Sequence, residues 1–417
     1  MKKVIILTYD MIPYSHSFGG CQRMFFLADF LFTEGQDVTV IASKKIDNGN
    51  FGKSIKFKTK YYGDEVISNL SDIVTNNNTF TKVKSLIRVF AEKVVNFYFN
   101  EPSNVMAFKA NVWLNKYKKD ILDEISLGVD TVIISGPPFV LFSFVKEVKK
   151  TYPNVNVIID YRDPWGLWNF KKSYAYIREK QTLTSADKIV VVTPLAKEET
   201  INHFKIIDKN KVDVIYNGYS DSVWKDVMKI NSPKQEGKLK IAFVGAIDFS
   251  EYSYRDTSKL LRVYTSYSDL VELSFIGVEK TPATLKIMDT FPEINFITKV
   301  TQEESIDYML RSDILLTLHT ANDDSGKFLI QGKIFDYMKA KKPIWSIGAL
   351  SDFSNLFILE NNLGLVSENT VESINESLDI FLELKSANKI YSSYQVDEDF
   401  VMKFSRENQN MKYLDLL

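Results

Sequence analysis

The clearest chemical grouping in the sequence is the run Asp160 to Trp165, which directly follows the apolar run Val155 to Ile159. If the apolar run is a buried strand, two carboxylates and a guanidinium stand where it leaves its sheet. Arg162 and Asp163 could then steer a proton or hold a hydroxyl group, while Trp165 offers a flat face for stacking. A structural Asp–Arg pair that closes the loop is the alternative. We favour the functional interpretation.

A second candidate lies at Gly19-Gly20, between the apolar run Val4 to Leu7 and a helix predicted from about Cys21 to Glu34. The N-terminus of a helix attracts anions, and residues without side chains let a ligand approach the backbone closely. A flexible turn explains a lone glycine pair equally well. The glycine pair therefore indicates a ligand site only in combination with the other motifs of the chain.

The second half of the chain places polar and cationic residues at the ends of predicted strands. Gly245 ends the strand Leu239 to Val244 and is followed by Arg255 in a polar loop, and His319 closes the strand Ile314 to Leu318. The planar fork of an arginine matches phosphate oxygens. For Arg255 alone, ordinary surface charge at a solvated helix start is at least as good an explanation.

A loop rich in turn formers, residues 322–327, then leads into a predicted helix that carries Lys327, Lys333 and Asp336. Ser325 can cap this helix, and its first amides together with Lys327 would form a compact anion site. Lys333 and Asp336 are three residues apart and lie on one helix face. They could bind a ligand or form a weak local ion pair.

Short β-branched apolar runs alternate with helix-like segments in both halves, which is typical of parallel strands covered by helices on both faces. The six candidates of the first half are Val4–Leu7, Val38–Ile41, Val132–Ile134, Val155–Ile159, Ile189–Val192 and Val212–Ile215. The six of the second half are Leu239–Val244, Leu273–Ile276, Ile294–Ile297, Ile314–Leu318, Pro343–Ile347 and Leu363–Val366. The polar segment Asn231 to Lys238 is the best linker candidate.

These patterns predict an α/β fold with two Rossmann-like, doubly wound domains that face each other across a cleft. The predicted domains span residues 1–218 and 219–398, and a helical segment, 399–417, is expected to pack back on the first domain. In such sheets ligands bind beyond the carboxyl ends of the strands. All the candidate residues above follow predicted strands at those ends.

Composition narrows the class of protein further. The chain has 417 residues, a formal net charge of -1 and a single cysteine, Cys21. The charge balance does not favour nucleic acid as a partner, and one cysteine allows neither an internal disulfide nor a multi-cysteine zinc site. The N-terminal apolar run is too short for a signal peptide, and no long apolar stretch follows. We therefore expect a cytoplasmic protein.

The spacing of motif residues argues against several other classes of protein. The segment from Gly326 to Lys333 superficially suggests a phosphate-binding Walker loop, but its glycine is one position too far away and Ile334 replaces the required Ser or Thr. No Gly-x-Gly-x-x-Gly follows a strand, which argues against a nicotinamide or flavin enzyme. The three histidines are not paired at metal-ligand spacing. A metal-dependent hydrolase is therefore not expected.

The segment from Lys82 to Lys119 is basic and alternates with apolar residues such as Phe97 and Trp113. It could touch an anionic membrane surface from the cytoplasmic side, where each charge contributes about 1 kcal/mol. An outer helix pair with a solvated basic face is the other interpretation.

Taken together, these motifs resemble the nucleotide-sugar glycosyltransferases of the GT-B fold, and specifically the family 4-like enzymes of bacterial surface glycans. The resemblance spans nearly the whole chain. It is carried by Gly19-Gly20, Ser135 to Pro138, Asp160 to Trp165, Tyr216 to Tyr219, and the run Lys333 to Met338 followed by Lys341 to Ile344. The family's donor helix usually carries two glutamates, but here Phe328 stands at the first position and Asp336 at the second.

The resemblance implies a retaining transfer of a sugar from a nucleotide-diphosphate donor, most simply a UDP- or GDP-sugar, to a glycan or lipid-linked saccharide. Neither a tightly bound cofactor nor a metal is implied. Asp336 would hold the ribose, with Arg255, Lys327 and Lys333 on phosphate, and Asp163 would orient or deprotonate the acceptor hydroxyl. Gly19, Gly20, Asn217, Gly245 and His319 would complete the binding site.

Three other functions stay open at this point. The same fold serves nucleotide-sugar epimerases, which act on the donor without a carbohydrate acceptor. A noncatalytic nucleotide-sugar-binding relative would explain Phe328. A two-lobed periplasmic-type binding protein or a sugar-phosphate sensor would also have two similar α/β lobes; the periplasmic form would need a signal peptide.

Overall fold

The structure is a computed structural model of the 417-residue chain. It describes residues 1–15, 18–45, 47–49, 52–63, 97–101, 103–166, 174–205, 208–227, 237–247, 249, 254–320 and 324–417. The chain divides into two compact units, Met1–Ile215 with Asn410–Leu417, and Tyr216–Gln409. Most of the predicted linker, residues 231–236, lies outside the described part.

The first unit is built on a seven-stranded sheet in which every described strand pair is parallel. The strand order is β3-β2-β1-β4-β5-β6-β7. The strands are β1 (Lys3–Leu7), β2 (Asp37–Lys44), β3 (Lys58–Gly63), β4 (Thr131–Gly136), β5 (Asn156–Tyr161), β6 (Lys188–Val191) and β7 (Val212–Val214).

The second unit repeats this plan with six parallel strands in the order β10-β9-β8-β11-β12-β13. The strands are β8 (Leu239–Ile247), β9 (Val271–Val278), β10 (Asn295–Ile297), β11 (Ile314–His319), β12 (Ile344–Gly348) and β13 (Gly364–Ser367). The predicted class, an α/β fold of two Rossmann-like units, is confirmed.

Helices connect the strands in both units. Those of the first unit are Phe18–Thr33, Asn104–Ile125, Phe144–Thr151, Tyr174–Ser185 and Pro194–Phe204, with 3-10 turns at Phe139–Ser143 and Lys209–Lys211. The second unit contains Asp221–Val227, Ser258–Tyr264, Pro282–Thr290, Gln302–Arg311, Lys333–Lys339, Phe353–Glu360, Val371–Ser386, Ile390–Ser393 and Glu398–Met402, with a 3-10 turn at Asp324–Phe328. The last helix, Arg406–Leu414, ends the chain.

The strands form where the sequence predicts them because they are apolar on both faces. Every residue of β4 and β11 is buried, as expected when helices cover both sides of a parallel sheet. Strand β3 has no predicted counterpart. Its sequence Lys-Thr-Lys-Tyr-Tyr-Gly contains no apolar run, and it lies at the sheet edge with partly exposed side chains.

Two predicted helices differ from the observed ones. The single helix expected to carry Lys327, Lys333 and Asp336 is instead the 3-10 turn Asp324–Phe328 followed by the separate helix Lys333–Lys339. The C-terminal segment forms two short helices rather than one, and Tyr413 and Leu416 pack in the core of the first unit.

In each sheet the chain order reverses between two central neighbours. These are β1 and β4 in the first unit and β8 and β11 in the second. The loops that follow such a pair run to opposite faces of the sheet and leave a crevice where ligands bind. The candidate residues follow β1, β4, β5, β8 and β11, at or next to these two places.

Candidate functional site

Lys333 presents a buried amine at the reversal point of the second unit. Its Nζ lies 3.6 Å from the centre of the Phe243 ring on β8. The amine is buried and has no hydrogen-bond partner in the described part of the chain. Burial, aided by the positive charge of Arg255, lowers the pKa of Lys333 well below its ordinary value. Such an uncompensated group is costly unless a ligand completes it.

The backbone of β8 is shaped around this amine. Gly245 has φ +139°, and a Cβ placed on it would stand 3.0 Å from Lys333 Nζ. Neighbouring Gly277 has φ +98°, and its Cβ would stand 2.8 Å from the Gly245 carbonyl oxygen. The register of β8 against β9 also shifts between Val244 and Ile247. Both glycines are needed because larger residues would be strained and would collide.

Arg255 supplies a second cation at the same place. Its guanidinium lies 5.6 Å from the centre of the Phe243 ring and 4.6 Å from that of Tyr254. One of its nitrogens, Nη1, donates a hydrogen bond to the Ala246 carbonyl. Of the predicted donor residues, Gly245, Arg255 and Lys333 are therefore brought together around one aromatic ring.

His319, the last residue of β11, forms a pair that the sequence did not reveal. Its Nδ1 lies 2.7 Å from Oδ2 of Asp352, and both residues are buried. Asp352 stands just before the helix Phe353–Glu360. The main chain at Gly326 lies directly against the carboxylate, because a Cβ at this position would stand 2.2 Å from it.

The turn Asp324–Phe328 holds two more residues of interest. Lys327 is half-buried there, in a different element from Lys333. Phe328 is buried, so the position where the resemblance leads one to expect a carboxylate is filled by an aromatic ring.

Asp336 is held by neutral and cationic partners within the second unit. Its Oδ1 accepts a hydrogen bond of 3.0 Å from Trp224 Nε1. Burial raises the pKa of Asp336, while the charge of Arg406 and the Trp224 bond oppose the rise. The alternative local ion pair with Lys333 is not formed, since the Lys333 amine is unpaired. Arg406 Nε also donates to the Asn217 carbonyl at 3.2 Å, which places Asn217 near this group.

In the first unit, Arg162 ties the loops at the reversal point together. Its guanidinium donates to the carbonyl oxygens of Gly136 and Pro137, after β4, and of Gly20, in the first turn of the helix Phe18–Thr33. These are contacts of a positioning residue. Gly19 is exposed at the same helix end, so the two predicted loop sites of this unit are joined through one side chain.

Asp163 is half-buried and lines a small cavity with Trp165 and Glu179. Burial raises the pKa of Asp163, although the charges of Arg162 and Arg23 act in the opposite direction. Burial also raises the pKa of Glu179 to about 8. Trp165 is fully buried, stacked on Phe139 at 5.4 Å between ring centres. Its ring is therefore part of the core and not a free stacking face.

Asp160 belongs to a buried network that sequence reasoning missed. Arg23 donates to it from Nη2 at 2.8 Å, and the Tyr413 hydroxyl donates at 2.6 Å. Ser135 Oγ donates to the other oxygen at 3.2 Å. The one available signal was Arg23 itself, a charged residue among the buried side chains of an apolar helix. Asp160 thus anchors the loop that presents Arg162 and Asp163.

Neither a metal site nor a membrane-spanning helix is found among the described residues. Among them no group of three or more His, Cys, Asp or Glu side chains is arranged to hold a metal ion. No helix in the described ranges is both long and apolar enough to cross a bilayer.

Comparison with known proteins finds a family match over part of the chain. Residues 76–223 match Glycosyltransferase Family 4. This segment of the chain is similar to that family. A search of curated proteins finds no match. This match and the two Rossmann-like units, which are of the GT-B type, bear out the predicted resemblance to family 4-like glycosyltransferases and support glycosyltransferase activity.

Solved structures resemble this chain over its whole length. A Rickettsia africae glycosyltransferase has 14% sequence identity and a TM-score of 0.59, covering 100% of this chain and 97% of that one. An Escherichia coli trehalose-6-phosphate protein bound with UDP-2-fluoro glucose has 13% identity and a TM-score of 0.64, with coverage of 99% and 98%. HepE of Anabaena, in complex with UDP, has 10% identity and a TM-score of 0.61, with coverage of 99% and 98%. At these identities the likeness establishes the fold.

Proposed function

We propose that this protein is a retaining glycosyltransferase that moves a sugar from a nucleotide-diphosphate donor to a hydroxyl of a glycan or lipid-linked saccharide in bacterial surface polysaccharide synthesis. The observation that carries the proposal is the unpaired, buried amine of Lys333 beside Gly245 and Arg255. These two cationic side chains lie beside a glycine with positive φ, at the point where the strand order reverses, and together they form a site suited to an anion.

A diphosphate suits this site better than a carboxylate or a single phosphate. It offers oxygens to both the Lys333 amine and the Arg255 fork, and its charge offsets the cost of burying the amine. Sugar transfer passes through an oxocarbenium-like state while negative charge grows on the departing diphosphate. Lys333 and Arg255 would stabilise that charge, so the proposal needs no metal ion. The UDP-bound relatives support a UDP-sugar donor, with a GDP-sugar as the other choice.

The remaining residues take roles around this centre. Asp336 would bind the ribose hydroxyls, and Asn217, His319 and Lys327 would complete the donor site. In the first unit Asp163 would orient or deprotonate the acceptor hydroxyl. Arg162 would hold the loop that contains Gly20, and Gly19 would offer a free backbone amide. These roles are proposed from the position of each residue within its own unit, and single substitutions can test them.

A peripheral membrane contact is the second part of the proposal. The predicted segment 82–119 is described from residue 97 onward, apart from residue 102. There Phe97, Val105 and Phe108 are exposed, by 58%, 69% and 44%. Lys116 and Lys119 are exposed further along the helix Asn104–Ile125. Exposed aromatic rings next to lysines suit an anionic lipid surface, where a lipid-linked acceptor would be found.

The transfer proposal is tested by incubating the protein with UDP- and GDP-sugars, with and without a lipid-linked saccharide, and analysing products by NMR. Transfer with an unchanged anomeric configuration supports the proposal. Inversion of configuration contradicts the retaining mechanism. Conversion of the donor to another sugar nucleotide without acceptor would identify an epimerase, and binding without any product would identify a noncatalytic relative.

The membrane contact is tested by co-sedimentation with vesicles of phosphatidylglycerol or phosphatidylcholine. Phe108→Ser should weaken binding to the anionic vesicles, and added salt should do the same. Leu127→Ser is the matched control, since Leu127 is 62% exposed beyond the other end of the same helix. Equal binding by both variants and the wild type would contradict the membrane assignment.

A further inference from the structure

We infer that His319 and Asp352 form a dyad that contacts a hydroxyl of the donor sugar and so helps to select that sugar. The inference rests on the proposed function and deepens it. It assigns a role to Asp352 and Gly326, and it divides the donor site into a cationic part for the diphosphate and a histidine–carboxylate part for the sugar.

Burial and close strand contacts hold the His319–Asp352 dyad in place within the second unit. His319 and Asp352 are 7% and 3% exposed, and 2.7 Å separates Nδ1 from Oδ2. His319 pairs in register with Gly348 on β12. A Cβ on Gly348 would stand 2.2 Å from the His319 carbonyl oxygen, so this close strand approach requires glycine. The two strand ends are therefore held against each other.

Hydrogen bonds also hold in place the loop that contains Asp352. Its backbone N–H donates to the Ala349 carbonyl at 3.0 Å. Asn355 Nδ2 donates to the same carbonyl at 2.7 Å, and the Asn355 oxygen accepts from Ser346 Oγ at 2.5 Å. From the other side, the main chain of Gly326 covers the carboxylate. The carboxylate thus has one orientation, toward the imidazole.

This arrangement leaves one nitrogen for a ligand. When Nδ1–H donates to Asp352, the other nitrogen of a neutral imidazole, Nε2, is an acceptor. Nε2 has no hydrogen-bond partner among the described residues. A sugar hydroxyl can donate to it. A phosphate oxygen cannot, and the nearby carboxylate would repel it.

The position of the dyad also favours the sugar. Strand β11 pairs directly with β8, whose last residues and following loop contribute Gly245 and Arg255. Neighbouring strands lie about 5 Å apart, and the sugar is bonded directly to the diphosphate. A diphosphate on Lys333 and Arg255 therefore leaves its sugar within reach of the adjacent strand end.

The dyad can be tested from either side, and the substitution of His319 leaves the buried carboxylate in place. In His319→Asn the amide nitrogen can still donate to Asp352, while the Nε2 acceptor is lost. Asp352→Asn removes the charge that fixes the imidazole tautomer. Titration calorimetry would measure the affinities of wild type and both variants for UDP, UDP-glucose, UDP-N-acetylglucosamine, GDP and GDP-mannose. Melting temperatures check the fold, and His319→Asn alone suffices if Asp352→Asn does not fold.

We expect the wild type to bind one nucleotide-sugar more tightly than its diphosphate. His319→Asn should reduce that difference about tenfold, as expected for one lost hydrogen bond, and leave the diphosphate affinity within about twofold. The dyad assignment is overturned if the wild type gains nothing from the sugar, if neither affinity changes in the variants, or if both fall equally. A wild type that binds none of these ligands overturns the proposed function as well.

Discussion

The amine of Lys333 lies 3.6 Å from the centre of the Phe243 ring and is buried without a hydrogen-bond partner. The negative face of the ring offsets part of the cost of a cation there. The rest is not offset by any described residue, and Arg255 adds a repulsive charge. A bound anion would offset both the cost of burying the charged amine and the repulsion between Lys333 and Arg255.

Nucleotide binding should be accompanied by proton uptake at Lys333. In the free protein burial lowers the pKa of this amine well below 10.5, so part of it is neutral at alkaline pH. A bound diphosphate favours the charged form and raises the pKa again. Between the two pKa values each binding event takes up as much as one proton, and uptake begins once pH exceeds the lower value.

Calorimetry in two buffers of different ionisation enthalpy would measure this uptake, at about pH 8 to 9, which is well above the second pKa of about 6 of a phosphate group. Lys333→Met serves as the reference. Identical apparent enthalpies in both buffers for the wild type would contradict the predicted proton uptake at Lys333.

Gly245→Ala should impair both folding and nucleotide binding. The residue has φ +139°, and the new methyl group would meet the Lys333 amine at 3.0 Å. Gly237→Ala is the matched control because Gly237 also has positive φ, +93°, but nothing within 4 Å. Backbone strain of about 1 to 3 kcal/mol is expected for both. Only Gly245→Ala should abolish the thermal shift produced by a nucleoside diphosphate; equal behaviour would contradict the close contact.

Arg23→Met should destabilise the first unit far more than Tyr413→Phe. Removing the guanidinium leaves the carboxylate of Asp160 buried without its cation, which costs about 3 to 5 kcal/mol. Tyr413→Phe removes one donor, and Arg23 and Ser135 still bind the carboxylate. About 1 kcal/mol is expected there. Urea unfolding measures both, and a small loss for Arg23→Met would show that Asp160 is protonated or hydrated instead.

Asp163→Asn should lower kcat for sugar transfer by about 10² to 10⁴ if the carboxylate deprotonates the acceptor. Burial raises the pKa of Asp163 above its ordinary 3.8. Only the ionised form accepts a proton, so wild-type activity should fall as pH decreases through this raised pKa. The variant should lack that acidic limb while it binds nucleotide normally. An unchanged pH profile would remove Asp163 from the proton transfer.

The sequence predicted the repeated sheets because a parallel strand buried on both faces must be apolar throughout, as β4 and β11 are. Strand β3 could not be found this way, since its Lys and Tyr side chains stay partly exposed at a sheet edge. The grouping of Arg255 and Lys333 was expected from the family resemblance, and it agrees with the rule that ligands bind beyond the carboxyl ends of the strands.

The sequence alone could not predict which distant residues form pairs. His319 and Asp352 are 33 positions apart, and Arg23 and Asp160 are 137 apart. No local periodicity links such residues, because each pair is created by neighbouring strands and their loops. The same limit applied to Arg162: its charge was visible in the sequence, but the three carbonyls that it binds were not.

The most direct test of the donor site compares two lysines of one helix. Lys339, like Lys333, lies in Lys333–Lys339, but its amine is paired with Asp221 at 3.4 Å. The thermal shifts produced by UDP, GDP, CDP and dTDP should be measured for the wild type, Lys333→Met and Lys339→Met. At a nucleotide concentration about 100-fold above Kd, binding contributes about 2.7 kcal/mol of stability. One diphosphate should stabilise the wild type and Lys339→Met but not Lys333→Met. An equal shift in Lys333→Met, or no shift in the folded wild type, would contradict the account.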